Sequence, residues 1–162
     1  MQIVRFTEQH WDEVREIYNQ GIESRNATFE TEVPGLATWH EKFHREHLWV
    51  ALAGNRVTGW AGLQPVSARK VYAGVAEVTV YVHTGFAGKG VGTALVRHLI
   101  QNSENAGIWT LYASIFPENT ASIRLHVNHG FREIGYRERI AQLDGNWRNT
   151  ILFERRSKKT GV

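Results

Sequence analysis

The chain has 162 residues, enough for one domain with a sizeable core, and it carries a net charge of +3 and no cysteine. The lack of cysteine excludes disulfides, thiolate metal sites and cysteine nucleophiles, and it fits a cytoplasmic location. The basic residues are scattered, and no apolar stretch approaches the roughly 20 residues that a membrane span requires. We therefore expect neither a nucleic-acid partner nor a membrane partner.

Hydrophobic periodicity predicts short strands alternating with amphipathic helices along the whole chain. In chain order, the predicted elements are a strand over 2–6, a helix from Trp11 to Gly21, a loop over 25–35, a helix over 36–46, strands over 48–53 and 56–66, a loop over 67–74, a strand over 75–83, a helix over 91–106, a strand over 109–115, a helix over 117–130, and strands over 131–140 and 148–154. This order predicts one α/β domain over 1–162, a mixed sheet with helices on its faces. The basic segment 155–162 is expected to form a solvated tail.

The segment "HTGFAGKGVGTAL", residues 83–95, places closely spaced glycines between a predicted strand and a predicted helix. The first N–H groups of a helix have no helical partner and, together with the helix dipole, attract anions. Two common phosphate motifs do not fit: Lys89 is followed by Gly90 rather than Ser or Thr, and Thr93 stands where a Rossmann loop needs its last glycine. The segment is therefore either a phosphate-binding turn or a tight turn without a ligand.

This loop resembles the acetyl-CoA site of the GNAT superfamily of N-acetyltransferases. The family signature is Arg/Gln-x-x-Gly-x-Gly/Ala, and residues 87–92 match it except that Ala87 replaces the leading Arg or Gln. The segments "AEVTVYVH", "PENTASIRLHVNHGF", "ATFETE" and "DGNWRN" extend the resemblance, in the right order, to the phosphinothricin and methionine-sulfoximine acetyltransferase branch. The resemblance implies a mostly antiparallel central sheet flanked by helices, acetyl-CoA as cosubstrate, and a small amino-acid-like amine as acceptor. It also leaves a homodimer open.

The resemblance further implies that backbone N–H groups bind the cofactor and supply the oxyanion donor at the strand end over 80–82. The implied cofactor-binding residues are Val80, Tyr81, Val82, Gly88, Lys89, Gly90, Val91, Gly92, Thr93, Asn119 and Ser122. With Ala87 in the signature's first position, Lys89 is the only cation within the loop. We therefore expect the backbone to carry most of the phosphate binding.

Glu77 interrupts the apolar strand "VAEVTVYV". Strand alternation places Glu77, Thr79 and Tyr81 on one face and the valines on the other. A carboxylate there is either solvated, paired with an arginine, or functional. In the branch that the chain resembles, this Glu is the general base, and partial burial would raise its pKa toward neutrality.

Asn119, Ser122 and His126 share one stripe of the predicted helix after Pro117. Asn119 is a good N-cap, and the resemblance adds a pantetheine contact for Asn119 and Ser122. His126 corresponds to the position of the acid that protonates the CoA thiolate, although a structural histidine is the alternative. His40 and His44 have a spacing that suits a metal, but the lack of a clear third ligand disfavours a metal site.

The resemblance places the acceptor pocket in two loops and the last hairpin. The corresponding residues are Phe29, Glu30, Arg69, Tyr72 and Trp147. Arg69 could hold a carboxylate with two hydrogen bonds, or it could be an ordinary exposed loop cation. Two other functions stay open: acetylation of a protein N-terminus or lysine, and an inactive CoA-binding module.

Overall fold

The computed structural model describes all 162 residues, and it contains seven strands and four α-helices. The strands are β1 Gln2–Arg5, β2 Leu48–Ala53, β3 Arg56–Pro65, β4 Val75–Val82, β5 Thr110–Ile115, β6 Arg132–Leu143 and β7 Asn146–Arg156. The helices are α1 Trp11–Glu23, α2 Leu36–Glu41, α3 Val91–Asn105 and α4 Thr120–Val127. The predicted order of elements is confirmed. No helix is long and apolar enough to cross a membrane.

The strands form one sheet in the order β1-β2-β3-β4-β5-β7-β6. All neighbouring pairs are antiparallel except β4 and β5, which run parallel. The predicted mixed, mostly antiparallel sheet is therefore confirmed. The parallel pair is possible because α3 carries the chain from the end of β4 back to the start of β5.

The sheet splits in its middle. Strands β4 and β5 pair only from Val75 with Thr110 to Glu77 with Tyr112. Beyond that point β4 stays paired with β3 as far as Val82, while β5 stays paired with β7 as far as Ile115. The two strands thus diverge like a fork, with Glu77 in the last paired position.

Each face of the sheet has its own apolar core. Leu95, Val96 and Leu99 of α3 pack on the face that carries Val78 of β4. Helices α1 and α2 cover the other face, with Val14, Ile17, Tyr18 and Ile22 of α1 and Trp39 of α2 in the second core. The spacing of these α1 residues places them on one helical stripe. Tyr81 packs against this second core, which confirms the predicted alternation of β4.

Helix α2 ends at Glu41, five residues before the predicted end at 46. The reason is tertiary: the His44 N–H donates to the Leu63 carbonyl of β3 at 2.9 Å instead of to a carbonyl of its own helix. Phe43 is consequently buried in the second core. Docking onto the sheet replaces the last helical turn.

The segment 155–162, predicted as a solvated tail, is exposed at five of its eight residues, but it begins inside the sheet. Arg155 and Arg156 belong to β7, and Ser157 is buried. Arg156 then donates to the carbonyls of Thr160 and Gly161, at 3.1 and 2.6 Å, so the chain end folds back on it. The two arginines at the start of this segment therefore take part in hydrogen bonds, which the charge pattern alone did not indicate.

Candidate active site

A cleft of about 1180 Å³ enters the fork between β4 and β5. Its lining includes residues from both faces of the sheet. The glycine-loop side consists of residues 86–88 and 90–93 together with Asn119, the N-cap of α4, and Ser122 and Arg124 of α4. The tyrosine side consists of Tyr18, Thr28, Phe29, Glu30, Lys42, Gln64, Glu77 and Tyr81. Two reactants could therefore meet in one continuous space from opposite sides of the sheet.

The glycine loop has the backbone geometry that a helix-start anion site requires. Gly88 and Gly90 have φ angles of +73° and +82°, and Gly90 is the N-cap of α3. These angles favour glycine, and they let the loop turn directly from the strand into the helix. Gly88, Gly90, Val91, Gly92 and Thr93 all line the cleft. Lys89 does not: its Nζ lies 5.1 Å from the centroid of the Phe86 ring, and the residue is exposed.

The edge of β4 that faces the cleft presents free backbone groups. The His83 N–H donates to the Thr58 carbonyl of β3 at 2.9 Å. Because successive residues of an antiparallel strand point their N–H groups to opposite sides, those of Val80 and Val82 point away from β3 and into the fork. The Tyr81 N–H points towards β3. Of the three residues predicted to supply an oxyanion donor, Val80 and Val82 therefore offer an N–H group to the cleft, and Tyr81 does not.

Asn119 and Ser122 line the cleft from α4. The Asn119 Oδ1 accepts from the Ser122 N–H at 3.1 Å, so the N-cap is confirmed. Its Nδ2 donates to the Asn26 carbonyl at 3.0 Å, which ties α4 to the loop after α1. One Nδ2 hydrogen and the second lone pair of Oδ1 are left for a ligand. The pantetheine contact stays a prediction.

His126 is buried with 4% of its surface exposed, and it lines the cleft. Its Nδ1 lies 2.7 Å from the Ser122 carbonyl oxygen, a distance that requires a proton on Nδ1, while Nε2 has no hydrogen-bond partner. Burial lowers the pKa of His126 below its ordinary value. The neutral ring therefore has its lone pair on Nε2, and it could donate a proton there only after becoming doubly protonated.

Glu77 is half-buried at the fork and lines the cleft. Burial raises its pKa above the ordinary carboxyl value, and the positive charge of Arg137 opposes this shift. The cross-strand neighbour of Glu77 is Gln64, whose Nε2 donates to the Thr79 hydroxyl at 3.2 Å. A half-buried carboxylate with a raised pKa is a stronger base than an exposed one, which suits a group that accepts a proton.

Two tyrosines form the wall beside Glu77. The Tyr81 ring stacks on Trp60 with centroids 5.0 Å apart, and it meets the Tyr18 ring edge-on, also at 5.0 Å. A side chain at Gly21 would overlap the Tyr81 ring, so this glycine permits the close approach of α1. Burial, followed by the neighbouring Glu30, raises the pKa of Tyr18 to about 12. Burial likewise raises the pKa of Tyr81, so both hydroxyls keep their protons at neutral pH.

The predicted acceptor residues divide into two groups. Phe29 and Glu30 line the cleft, and the Phe29 ring packs edge-on against Phe116 at 4.9 Å. Arg69, Tyr72 and Trp147 do not line it; the Arg69 guanidinium lies 5.4 Å from the Tyr72 ring centroid, and all three residues are exposed. Within this single chain, the structure brings only the first group to Glu77's cleft.

Sequence reasoning missed most polar residues of the lining, among them Tyr18, Lys42, Gln64 and Arg124. Arg124 could have been predicted from the sequence, because it lies in the helix after Pro117 that was already assigned to the site. Tyr18, Lys42 and Gln64 come from three separate elements, and only the packing of α1 and α2 on the sheet brings them together. No cluster of three or more His, Asp or Glu side chains has a geometry for a metal ion.

Comparison with known proteins finds similar acetyltransferases. YwnH of Bacillus subtilis, which carries the name of a phosphinothricin acetyltransferase, is 37% identical over 134 residues, which cover 80% of this chain and 82% of that protein. The L-methionine sulfoximine/L-methionine sulfone acetyltransferase of Pseudomonas aeruginosa is 28% identical over 144 residues, which cover 85% of this chain and 84% of the relative. A crystal structure of a phosphinothricin acetyltransferase from Sinorhizobium meliloti in complex with AcCoA has a TM-score of 0.89 at 24% identity and shares the fold, covering 99% of this chain and 90% of that one.

The family model that matches is the acetyltransferase (GNAT) family, over residues 11–131. That range contains α1, the fork, the glycine loop and α4, and so it contains the parts from which the cleft is built. The chain therefore belongs to the GNAT family of acetyltransferases.

Proposed function

We propose that this enzyme transfers the acetyl group of acetyl-CoA directly to the amine of a small amino-acid-like acceptor, of the phosphinothricin or methionine sulfoximine type, in a ternary complex. The observation that carries the proposal is the fork. It leaves a carboxylate, Glu77, on the tyrosine side and free strand N–H groups at the same opening. The names of the two relatives support the acceptor class.

In this mechanism the glycine loop and the start of α3 hold the pyrophosphate, and the pantetheine enters the fork. Glu77 takes a proton from the acceptor's ammonium, directly or through water, and the free amine attacks the thioester carbonyl. The Val80 or Val82 N–H stabilises the tetrahedral oxyanion. The C–S bond then breaks, the nitrogen of the intermediate loses its second proton as the amide forms, and the departing CoA thiolate takes up a proton in its place.

A covalent acetyl-enzyme has little support. The chain has no cysteine. Ser122 lies near His126, with Oγ and Nδ1 3.4 Å apart, but that nitrogen is already engaged by the Ser122 carbonyl oxygen. It cannot accept the hydroxyl proton while it carries its own.

His126 is proposed as the acid for the leaving thiolate, with a smaller contribution than that of Glu77. Its neutral form offers a lone pair at Nε2, and burial disfavours the doubly protonated form that would donate. Replacing His126 with Gln should therefore reduce kcat less than replacing Glu77 with Gln does. Steady-state kinetics of the two variants at several pH values compare the roles.

The test of the function is acetyl-CoA consumption with a panel of amino acids, their decarboxylated amines and short peptides. We expect the amino acids and their analogues to be acetylated, and Glu77→Gln to lower kcat by about 10²–10⁴ without weakening acetyl-CoA binding. The loss should shrink at high pH, where the amine is already free. Turnover of peptides alone would contradict the acceptor class, and a near-wild-type rate for Glu77→Gln at neutral pH would place the base elsewhere.

A homodimer and a cytoplasmic location belong to the same proposal. The β6–β7 hairpin exposes Ile134, Tyr136, Ile140 and Trp147, which supports a second copy as partner because exposed large apolar side chains favour association. Sedimentation analysis of the wild type and of Ile134→Glu tests the dimer: the substitution should shift the protein toward monomers. The location stays a prediction from the sequence.

A further inference from the structure

Two lysine or arginine side chains line the cleft, and they lie on different sides of it. Arg124 stands on α4, next to the glycine loop. Lys42 stands on the tyrosine side, which also contains the two carboxylates of the lining, Glu30 and Glu77. An amino-acid acceptor carries both an ammonium and a carboxylate group. The carboxylates of Glu30 and Glu77 can attract its ammonium, but its own carboxylate needs a positively charged side chain.

The position of Lys42 is set by the docking of its segment on β3. The next residue, Phe43, fills the space over Gly62, where a side chain would overlap the Phe43 ring. The His44 N–H is anchored to the Leu63 carbonyl. Gly62 is paired with Thr79, and Gln64 is paired with Glu77, so Lys42 leaves the backbone on the same face of the sheet as the proposed base.

The Lys42 ammonium has one weak partner in the cleft. Its Nζ lies 3.9 Å from Oε1 of Glu30, and the two side chains are 36% and 53% exposed. An ion pair of that length and exposure contributes little stability, so exchanging one carboxylate for another costs little. The Lys42 ammonium is therefore available to a second carboxylate in the cleft.

We propose that Lys42 binds the carboxylate of the acceptor and is the residue that makes the enzyme select amino acids over simple amines. The inference rests on the proposed function. It differs from the sequence-based assignment of that role to Arg69, whose guanidinium lies against the exposed Tyr72 ring outside the cleft. The protonated hydroxyls of Tyr18 and Tyr81 stand on the same side as further donors for the acceptor.

The experiment compares methionine sulfoximine with its decarboxylated amine in the wild type, Lys42→Met, Lys42→Arg, Arg69→Met and Lys70→Met. Lys70 is exposed and outside the cleft, which makes it the matched control for loss of one positive charge. We expect Lys42→Met to raise the KM for the amino acid by roughly 10-fold or more, the usual effect of losing a hydrogen bond between charged groups. The KM for the amine and the Kd for acetyl-CoA should not change, and Lys42→Arg should restore most of the affinity.

The outcomes separate the two proposals. If the wild type acetylates both substrates and Lys42→Met shifts neither KM, or shifts both equally, Lys42 is not the carboxylate site while the acetyltransferase function stands. A KM increase confined to Arg69→Met overturns the assignment in favour of the loop. If the wild type acetylates neither compound, the proposed acceptor class fails and the role of Lys42 fails with it.

Discussion

The two sides of the cleft are built by different means. On the glycine-loop side, contiguous residues 88–93 and the free edge of β4 offer backbone N–H groups, and the one loop cation, Lys89, points elsewhere. On the tyrosine side, the polar groups are side chains from α1, the loop after it, the segment after α2, β3 and β4. A ligand common to a whole family can be held by backbone, whereas the choice among acceptors requires side chains.

This difference explains how the chain accommodates Ala87 where the signature has Arg or Gln. The conformation of the loop depends on the φ angles at Gly88 and Gly90, and these need no side chain at position 87. Substitutions that alter the backbone should therefore affect the glycine-loop side most. Substitutions that remove single functional groups should affect the tyrosine side most.

The largest effect is expected from Gly90→Val. Nothing lies within 4 Å of a Cβ at this position, but the φ angle of +82° is unfavourable for a β-branched residue. Such strain amounts to about 1–3 kcal/mol, so the first N–H groups of α3 should move and acetyl-CoA affinity should fall roughly 10- to 100-fold. Calorimetric titration with acetyl-CoA measures the loss.

Lys89→Ala is the control for Gly90→Val, because it removes a side chain next to position 90 without changing the φ angle of Gly90. Because its ammonium lies over Phe86 and is exposed, the affinity should fall by less than about fivefold. Thermal unfolding of both variants checks that each is folded at the titration temperature. A larger loss in Lys89→Ala than in Gly90→Val would mean that side chains, not backbone, hold the cofactor.

A change outside both sides of the cleft should alter stability alone. Burial favours a raised pKa for Glu104, but hydrogen bonds from Arg155 and Ser157, at 3.0 and 2.9 Å, outweigh it and lower that pKa. Glu104→Gln should reduce the free energy of unfolding by about 1–3 kcal/mol at neutral pH. Urea denaturation measures this change.

The pH dependence of that loss has a definite sign. A carboxylate with a lowered pKa contributes stability above its unfolded-state pKa and loses the contribution as the pH falls through its folded-state pKa. The difference between wild type and Glu104→Gln should therefore shrink in acid. A difference that stays constant from pH 7 to pH 3 would contradict the ionised pairing with Arg155.

Tyr81→Phe tests the difference between the two sides of the cleft at a single residue. The backbone of Tyr81 pairs with β3, whereas its side chain lies on the tyrosine side. Removal of a hydroxyl from the tyrosine side should raise the acceptor KM by roughly 2- to 10-fold, the range for one neutral hydrogen bond. The Kd for acetyl-CoA should stay as in the wild type, since the strand backbone is unchanged. Tyr18→Phe should likewise raise the acceptor KM without changing the Kd for acetyl-CoA. A loss of acetyl-CoA affinity in either variant would contradict the assignment of separate roles to the two sides of the cleft.

The smallest effect is expected from Arg137→Met. The Arg137 charge opposes the rise that burial causes in the pKa of Glu77, so its removal should raise that pKa further. Since the base must be ionised, the ascending limb of the kcat/KM profile should move to higher pH, by less than about one unit for an exposed charge. Arg132→Met is the control, because Arg132 pairs with Glu154 at 2.8 Å, and a shift of equal size there would assign the effect to net charge.

Local signals accounted for most of what sequence reasoning predicted correctly. The element order, the strand carrying Glu77, the glycine turn and the N-cap at Asn119 are each encoded within a few neighbouring residues. The errors arose where a distant contact decides. Helix α2 stops because His44 bonds to β3, and the basic end of the chain is ordered because Ser157 and Arg155 meet Glu104 of α3.

The sequence by itself determined the order of the strands and helices and the residues of the glycine loop, because these depend on periodicity and on backbone angles within contiguous segments. It indicated the family through the resemblance of its motifs. Only the tertiary structure decided which cation lines the cleft on the side of Glu77. Lys42 lies 35 residues before Glu77 and Arg69 only eight, yet the packing of Phe43 on Gly62 brings Lys42 to the cleft and the loop leaves Arg69 outside it. Sequence distance cannot show this, since the register of the sheet and the docking of α2 set distances in space.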